Sequence, residues 1–386
     1  MSRDSKVISV FVGTRPEMIK LAPVIFELRK NPSYLVRIIF TGQHKELLTQ
    51  TAKIFSIRPD CYLYLKRSQG TLSELAVRLM NGCTKILRNN EIDLVVVQGD
   101  TSTALIAALT AFYEGVAVAH VEAGLRTYDL SKPFPEESNR QIIARLASIH
   151  FAPTAQARKN LLSEGIDTAS VVVTGNTAVD ALQWVMRTSN FELWSSELHS
   201  SGERILVTIH RRESWHEQLH SICHGLKKIV NSRPQCSIVI PVHPGQTVKN
   251  TLLQELSGIP QIRLLDPQPY DRFVVMMAQS ALILTDSGGV QEDACALHRP
   301  VLVLRDTTER QEAVKSGFAR LVGTNGDEIA SQVNRVLDND VENSQLYRVA
   351  NPFGDGHAAT RIASAIDSWF AKKPILLSRA AEFHEP

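Results

Sequence analysis

Residues 7–20 read VISVFVGTRPEMIK, and the order of residue types in that stretch decides the fold. Residues 7–12 form an apolar run rich in β-branched side chains, continuous rather than alternating, as in a strand covered on both faces. Gly13 permits a tight turn, and Pro16 suits the first turn of a following helix. Helix-period spacing then predicts a helix over 19–30. The same strand–turn–helix order recurs along the chain. Runs of strand character occupy 36–40, 94–97, 116–121, 149–152 and 171–173, then 205–209, 237–242, 262–265, 281–284, 301–304 and 319–322. Segments of helical period lie between them, among them 72–88, 103–114 and 136–147. Repeated βαβ units predict an α/β protein built on doubly wound parallel sheets.

The pattern pauses over 180–203, where a helical start gives way to Ser-rich polar sequence. The expected division is a first Rossmann-like domain over 1–180, a second over 181–357, and a C-terminal helix with a tail over 358–386. A length of 386 residues suits two such cores. The net charge of +2 with dispersed basic residues predicts no nucleic-acid partner. Five scattered cysteines without a CxxC pair predict a reducing compartment and no structural zinc. The first apolar run is too short for a signal peptide core or a membrane span, so a soluble cytoplasmic protein is expected.

Chemistry concentrates at strand ends. After residues 116–121 the loop VEAGLRTYDLSKPFPEESNR (121–140) carries Glu122, Arg126, Asp129, Glu136, Glu137 and Arg140. A plain connection is only a few residues long, so a charged loop of this length at a strand end predicts an active-site edge. Arg15 and Lys20 stand near a helix N-terminus that already favours anions. Asp100, in QGDTST, reads either as an N-cap or as a carboxylate facing a cleft. His210 and Arg211, in IHRRE, suit a diphosphate, as does the basic segment Arg305–Arg310. TDSGGVQED (285–293) offers bare backbone N–H groups from Ser287, Gly288 and Gly289 at a helix start, with Glu292 and Asp293 one turn inward, within reach of a ribose. It matches neither GxGxxG nor a P-loop. These readings predict a nucleotide on the second domain and a reacting sugar facing the carboxylates of the first.

Together GTRPEMIKLAP, TGQH, QGDTST, HVEAGLRT, PFPEESNR, HFAPT, VTGNTAVDAL, HRRE, DSGGVQED, PVLVLRDTTER and NPFGDGHA resemble the non-hydrolysing UDP-N-acetylglucosamine 2-epimerases, in the family order and over nearly the whole chain. The resemblance implies a GT-B fold, with the C-terminal helix returning to the first domain. It implies C2 inversion of UDP-GlcNAc to UDP-ManNAc by elimination of UDP to a 2-acetamidoglucal and re-addition, with no metal or nicotinamide cofactor, no membrane partner and a homodimer. By motif match, Asp100, Glu122 and Glu136 are the acid and base candidates, and His210 supports the leaving diphosphate. Arg15, Ser287, Gly288, Gly289 and Arg310 hold phosphates, Lys20 supports the same site, Gln268 and Phe273 contact uracil, and Asp293 contacts ribose. Gln43, His44, Glu137, Arg211 and His243 correspond to an activating UDP-GlcNAc site. Departures from the family pattern include Gln98, expected to alter hydrogen bonding behind Asp100, and Gln311 in place of a proline. Rival readings are an epimerase for a related UDP-2-acetamido sugar, a hydrolysing variant, a GT-B glycosyltransferase using a UDP-sugar, and a catalytically silent UDP-sugar sensor.

Overall fold

A computed structural model describes residues 5–43, 45–65, 70–188, 202–209, 217–242, 245–339, 345–375 and 381–384. The chain divides into two compact units, Met1–Gln183 with Gly354–Glu385, and Trp184–Phe353.

The strands of the first unit are β1 (Lys6–Val12), β2 (Tyr34–Phe40), β3 (Cys61–Tyr62), β4 (Leu94–Gln98), β5 (Ala117–Val121), β6 (Ile149–Ala152) and β7 (Val171–Val173). Those of the second are β8 (Arg204–Thr208), β9 (Ser237–Pro241), β10 (Ile262–Leu265), β11 (Leu282–Thr285), β12 (Val301–Val303) and β13 (Ala319–Leu321). Among the described residues the sheet orders are β3-β2-β1-β4-β5-β6-β7 and β10-β9-β8-β11-β12-β13. The recorded pairings are parallel. The apolar runs are strands because helices cover them: all but the first residue of β1 and every residue of β4 is buried.

Strand order reverses once in each sheet, between β1 and β4 and between β8 and β11. At such a switch point the two neighbouring loops leave in opposite directions and open a crevice at the carboxyl ends of the strands. The loops there are Gly13–Thr14 and Gly99–Thr101 in the first unit. In the second unit Ser287 stands at this position, and Thr208 and Thr285 bond hydroxyl to hydroxyl at 2.6 Å across the end of the sheet.

Helix Ala358–Phe370 packs on helix Arg15–Arg29 within the first unit. Its own N-terminus lacks a side-chain cap. Asp180 supplies one from elsewhere, accepting from the backbone N–H of Ala358 at 3.3 Å and of Ala359 at 2.8 Å. At the other end Asp367 accepts from Asn31 Nδ2 at 3.1 Å and from the Tyr34 hydroxyl. Among the described residues no helix is long and apolar enough to cross a membrane.

Candidate active site

Helix Arg15–Arg29 starts four residues before its apolar periodicity does, because Thr14 caps it. Thr14 and Glu17 form a capping box, the T-x-x-E pattern that pins a helix start. Glu17 does more than cap. It is fully buried and accepts from the Gly13 N–H (3.0 Å), the Thr14 N–H (2.7 Å) and hydroxyl (2.8 Å), and the Thr101 hydroxyl (2.8 Å). One carboxylate thereby clasps the loop after β1 to the loop after β4. Gly13 is required at this clasp. A Cβ there would lie 2.1 Å from Thr103 Oγ1 and 2.6 Å from Thr41 Oγ1. Thr103 in turn donates to Gln43 Oε1 at 2.9 Å.

Burial pushes the Glu17 pKa up from 4.5 to about 7, against the hydrogen bonds from Thr101, Thr14 and Gly13. The folded state therefore holds this proton to higher pH than the unfolded chain does. The stability it contributes is complete below about pH 4.5 and is lost as pH rises to about 7. At 1.36 kcal/mol per pKa unit that is about 3 kcal/mol. Glu17→Gln can keep the acceptor toward Gly13 and Thr14 and donate to Thr101. The wild-type melting temperature is expected to fall across this window relative to Glu17→Gln. Parallel pH curves for the two proteins would count against the assignment.

Glu122 follows β5 and is 8% exposed, with φ +63°, a left-handed conformation uncommon for a residue other than Gly. Its Oε1 receives Lys20 Nζ at 2.5 Å and Asn176 Nδ2 at 3.5 Å, and its Oε2 accepts from Gln98 Nε2. Gln98 therefore backs Glu122, not Asp100 as expected. As the last residue of β4 it stands in register with Val121, beside Glu122. Asp100 is not an N-cap either. Thr101 caps helix Ser102–Tyr113, accepting from the Ala104 N–H at 3.0 Å. That leaves the Asp100 side chain for Arg140, whose Nε lies 2.8 Å and whose terminal nitrogen lies 2.6 Å from Asp100 Oδ2. The two carboxylates thus stand at the ends of adjacent strands, each beside its own cation.

The long loop divides its charges between holding and facing outward. Arg126 grips Glu164 through two bonds of 2.7 and 2.9 Å and is a structural anchor. Asp129 closes an exposed turn with Ser131. Glu137 is fully buried and accepts from the Thr127 and Tyr128 N–H groups, Gln141 and Arg140. Burial opposes its charge, but those bonds and Arg140 outweigh it and hold its pKa below the ordinary range. Glu136, the first residue of helix Glu136–Leu146, stays half-buried, one turn before the Arg140 that reaches Asp100.

In the second unit, Ser287 is the N-cap residue of helix Gly288–Ala296, yet its side chain makes no capping bond. The Arg310 guanidinium lies over the helix start, 3.3–3.5 Å from where a Gly288 Cβ would be. Its Nε is 2.5 Å from the buried Glu292, so Glu292 steers this arginine while Asp293 beside it is half-buried. Thr308 fixes the loop by donating to Gln291 Oε1 at 2.8 Å, and Gln311 donates to Thr308 O at 2.7 Å where a proline could not. Gln268 donates to Asp266 O, while its buried Oε1 has no hydrogen-bond partner among the described residues. Phe273 sits half-buried in the first turn of helix Tyr270–Ala278. Half-buried Arg15 opens helix Arg15–Arg29. His44, His210, Arg211 and His243 lie outside the described residues.

Four residues at the first site were missed from sequence: Glu17, His120, Asn139 and Asn176. Asn139 donates to Asp100 O at 2.7 Å, and His120 Nε2 lies 2.8 Å from Gly99 O. All four stand inside quoted motifs, but only Glu17 carried a readable signal, the capping box.

A family model described as UDP-N-acetylglucosamine 2-epimerase matches residues 26–367. The chain is 45% identical to the UDP-N-acetylglucosamine 2-epimerase of Yersinia pestis, over 94% of this chain and 98% of that one. With the enzyme of Escherichia coli K12 the identity is 44% over the same shares. Among solved structures, the UDP-GlcNAc 2-epimerase of Neisseria meningitidis, bound to UDP-GlcNAc, is 38% identical with a TM-score of 0.87, covering 95% of this chain and 100% of that one. The Methanocaldococcus jannaschii enzyme, in complex with UDP-GlcNAc and UDP, is 35% identical with a TM-score of 0.80, covering 94% and 99%. A Rickettsia africae glycosyltransferase, at 13% identity and a TM-score of 0.59, shares the fold alone, the two-domain GT-B architecture.

Proposed function

The chain belongs to the UDP-N-acetylglucosamine 2-epimerase family, and we propose that it interconverts UDP-GlcNAc and UDP-ManNAc. The reaction runs by elimination and re-addition. A carboxylate takes the C2 proton, the C2–H electron pair becomes the C1–C2 double bond of 2-acetamidoglucal, and UDP departs with the C1–O pair. UDP then adds back to C1 while an acid delivers a proton to the other face of C2. Such a route needs acid–base groups at C2 and stabilisation of the departing diphosphate.

One observation carries this reading: Asp100 and Glu122 stand at adjacent strand ends beside the switch point of the first sheet, paired separately with Arg140 and Lys20. A module that only bound a sugar nucleotide would have no use for two carboxylates so held. Glu136 is the third acid–base candidate. Diphosphate binding falls to Ser287, Gly288, Gly289 and Arg310, with Arg15 and His210 as further phosphate ligands, and Asp293 takes the ribose. Gln268, with an acceptor atom still to satisfy, and Phe273 suit a uracil ring. The UDP-GlcNAc bound in the Neisseria relative supports a UDP-sugar ligand.

Proton NMR of the protein with UDP-GlcNAc in D₂O tests the reading. Deuterium at C2 with a UDP-ManNAc anomeric signal is expected. Free ManNAc and UDP would redirect it to hydrolysis, and measurable UDP binding without exchange at C2 would overturn it.

A further inference from the structure

His120 is fully buried on β5 and has no part in the acid–base scheme above. Its Nε2 lies 2.8 Å from the carbonyl oxygen of Gly99, and its Nδ1 is buried without a hydrogen-bond partner among the described residues. A carbonyl only accepts, so the proton must sit on Nε2. The neighbouring His150, its register partner on β6, differs. It has Ala144 O at 2.9 Å on one nitrogen and the Ser170 hydroxyl at 3.4 Å on the other.

Gly99 has φ +67°, which a side chain would strain, and it turns the chain from β4 into Asp100. Both polar groups of Gly99 are held from β5: its N–H donates to Val121 O at 3.0 Å, and its carbonyl accepts from His120. The next carbonyl, that of Asp100, accepts from Asn139. The peptide planes on either side of the Asp100 α-carbon are therefore fixed by two side chains from two different elements.

We infer that His120 is a positioning residue, an Nε2–H clamp on the Gly99 carbonyl that holds Asp100 at its place beside Glu122. Burial pushes its pKa down to about 3 despite the Gly99 bond, with His150 and Arg126 nearby adding to the effect and the Glu122 carboxylate opposing it. The clamp is thus neutral across the working range, and Asp100 keeps its position independently of pH.

This inference rests on the epimerase reading for its kinetic test, and a second test does not. Gln can place its amide nitrogen near the His Nε2 position and Asn near Nδ1, so the two variants separate donation to Gly99 from mere presence of an amide. His120→Gln is expected to keep kcat within a few-fold of wild type. His120→Asn is expected to lower kcat by about 100-fold, the cost of a catalytic group displaced by about 1 Å, with KM for UDP-GlcNAc little changed. Equal kcat in both variants, or losses that follow melting temperature alone, would overturn the inference. Wild-type protein inactive on UDP-GlcNAc would sink the function reading and leave the second test to decide. That test is the ¹⁵N imidazole spectrum of wild type from pH 5 to 9. A neutral Nε2–H signal for His120, unchanged across the range, is expected. An Nδ1–H tautomer or a titration within the range would refute the clamp.

Discussion

Glu122→Gln is expected to lower kcat by about 10²- to 10⁴-fold, the span that general acid–base groups supply. The amide fills the same space and can still accept from Lys20 or Gln98, so the left-handed turn at Glu122 should survive. UDP affinity, which we assign to residues of the second unit, should change less than two- to three-fold, a factor of about 0.5 kcal/mol. Asp100→Asn and Glu136→Gln are expected to show the same split between binding and turnover. Isothermal titration with UDP and steady-state kinetics on the three variants decide the matter. Wild-type kcat in all three would remove these carboxylates from the chemistry.

Lys20→Met is the second variant with a large expected effect. The Lys20–Glu122 pair is nearly buried, at 16% and 6% side-chain exposure, with a separation of 2.5 Å. Removing one partner of such a pair costs about 3–5 kcal/mol, because the charge left behind has lost its counterion and not regained water. Gln98 and Asn176 remain as neutral donors and offset only part of that loss. The melting temperature should fall sharply, and turnover should fall with it. Adding Glu122→Gln to Lys20→Met removes the stranded charge, so the double variant should recover stability but not activity. A double variant no more stable than Lys20→Met would show that the pair is not the source of the loss.

The strands were legible because covered parallel strands need continuous apolar runs, and twelve such runs stand out by eye. Strand β3, Cys61–Tyr62, has two residues and no periodicity to read. Helix Arg15–Arg29 began earlier than its apolar pattern because a cap, not burial, sets a helix start. At the site, residue types and strand-end positions were readable, while partners were not. Lys20 and Glu122 are 102 residues apart and Arg140 and Asp100 are 40 apart, so only the fold brings them together. Lys20 is expected from sequence to support a ligand anion, and the fold also pairs it with Glu122. The sequence alone puts Gln98 behind Asp100, two residues on, whereas its side chain donates to Glu122. A residue at a strand end faces across to the next strand as readily as along its own chain. Asn139, Asn176 and His120 are uncharged positioning groups, and such groups leave no charge pattern in a sequence.

The return of helix Ala358–Phe370 to the first unit has a consequence for synthesis. The 170 residues between Gln183 and Gly354 all belong to the second unit. At 5–20 residues per second the ribosome takes roughly 10–30 s to make them. For that time the nascent first unit has its sheet but not the helix that Asp180, Asn31 and Tyr34 bind, and the apolar face of helix Arg15–Arg29 stays uncovered. Final closure of the first unit therefore waits until the whole second unit has been made, and a nascent chain stalled within the second unit should be a client for chaperones through that face.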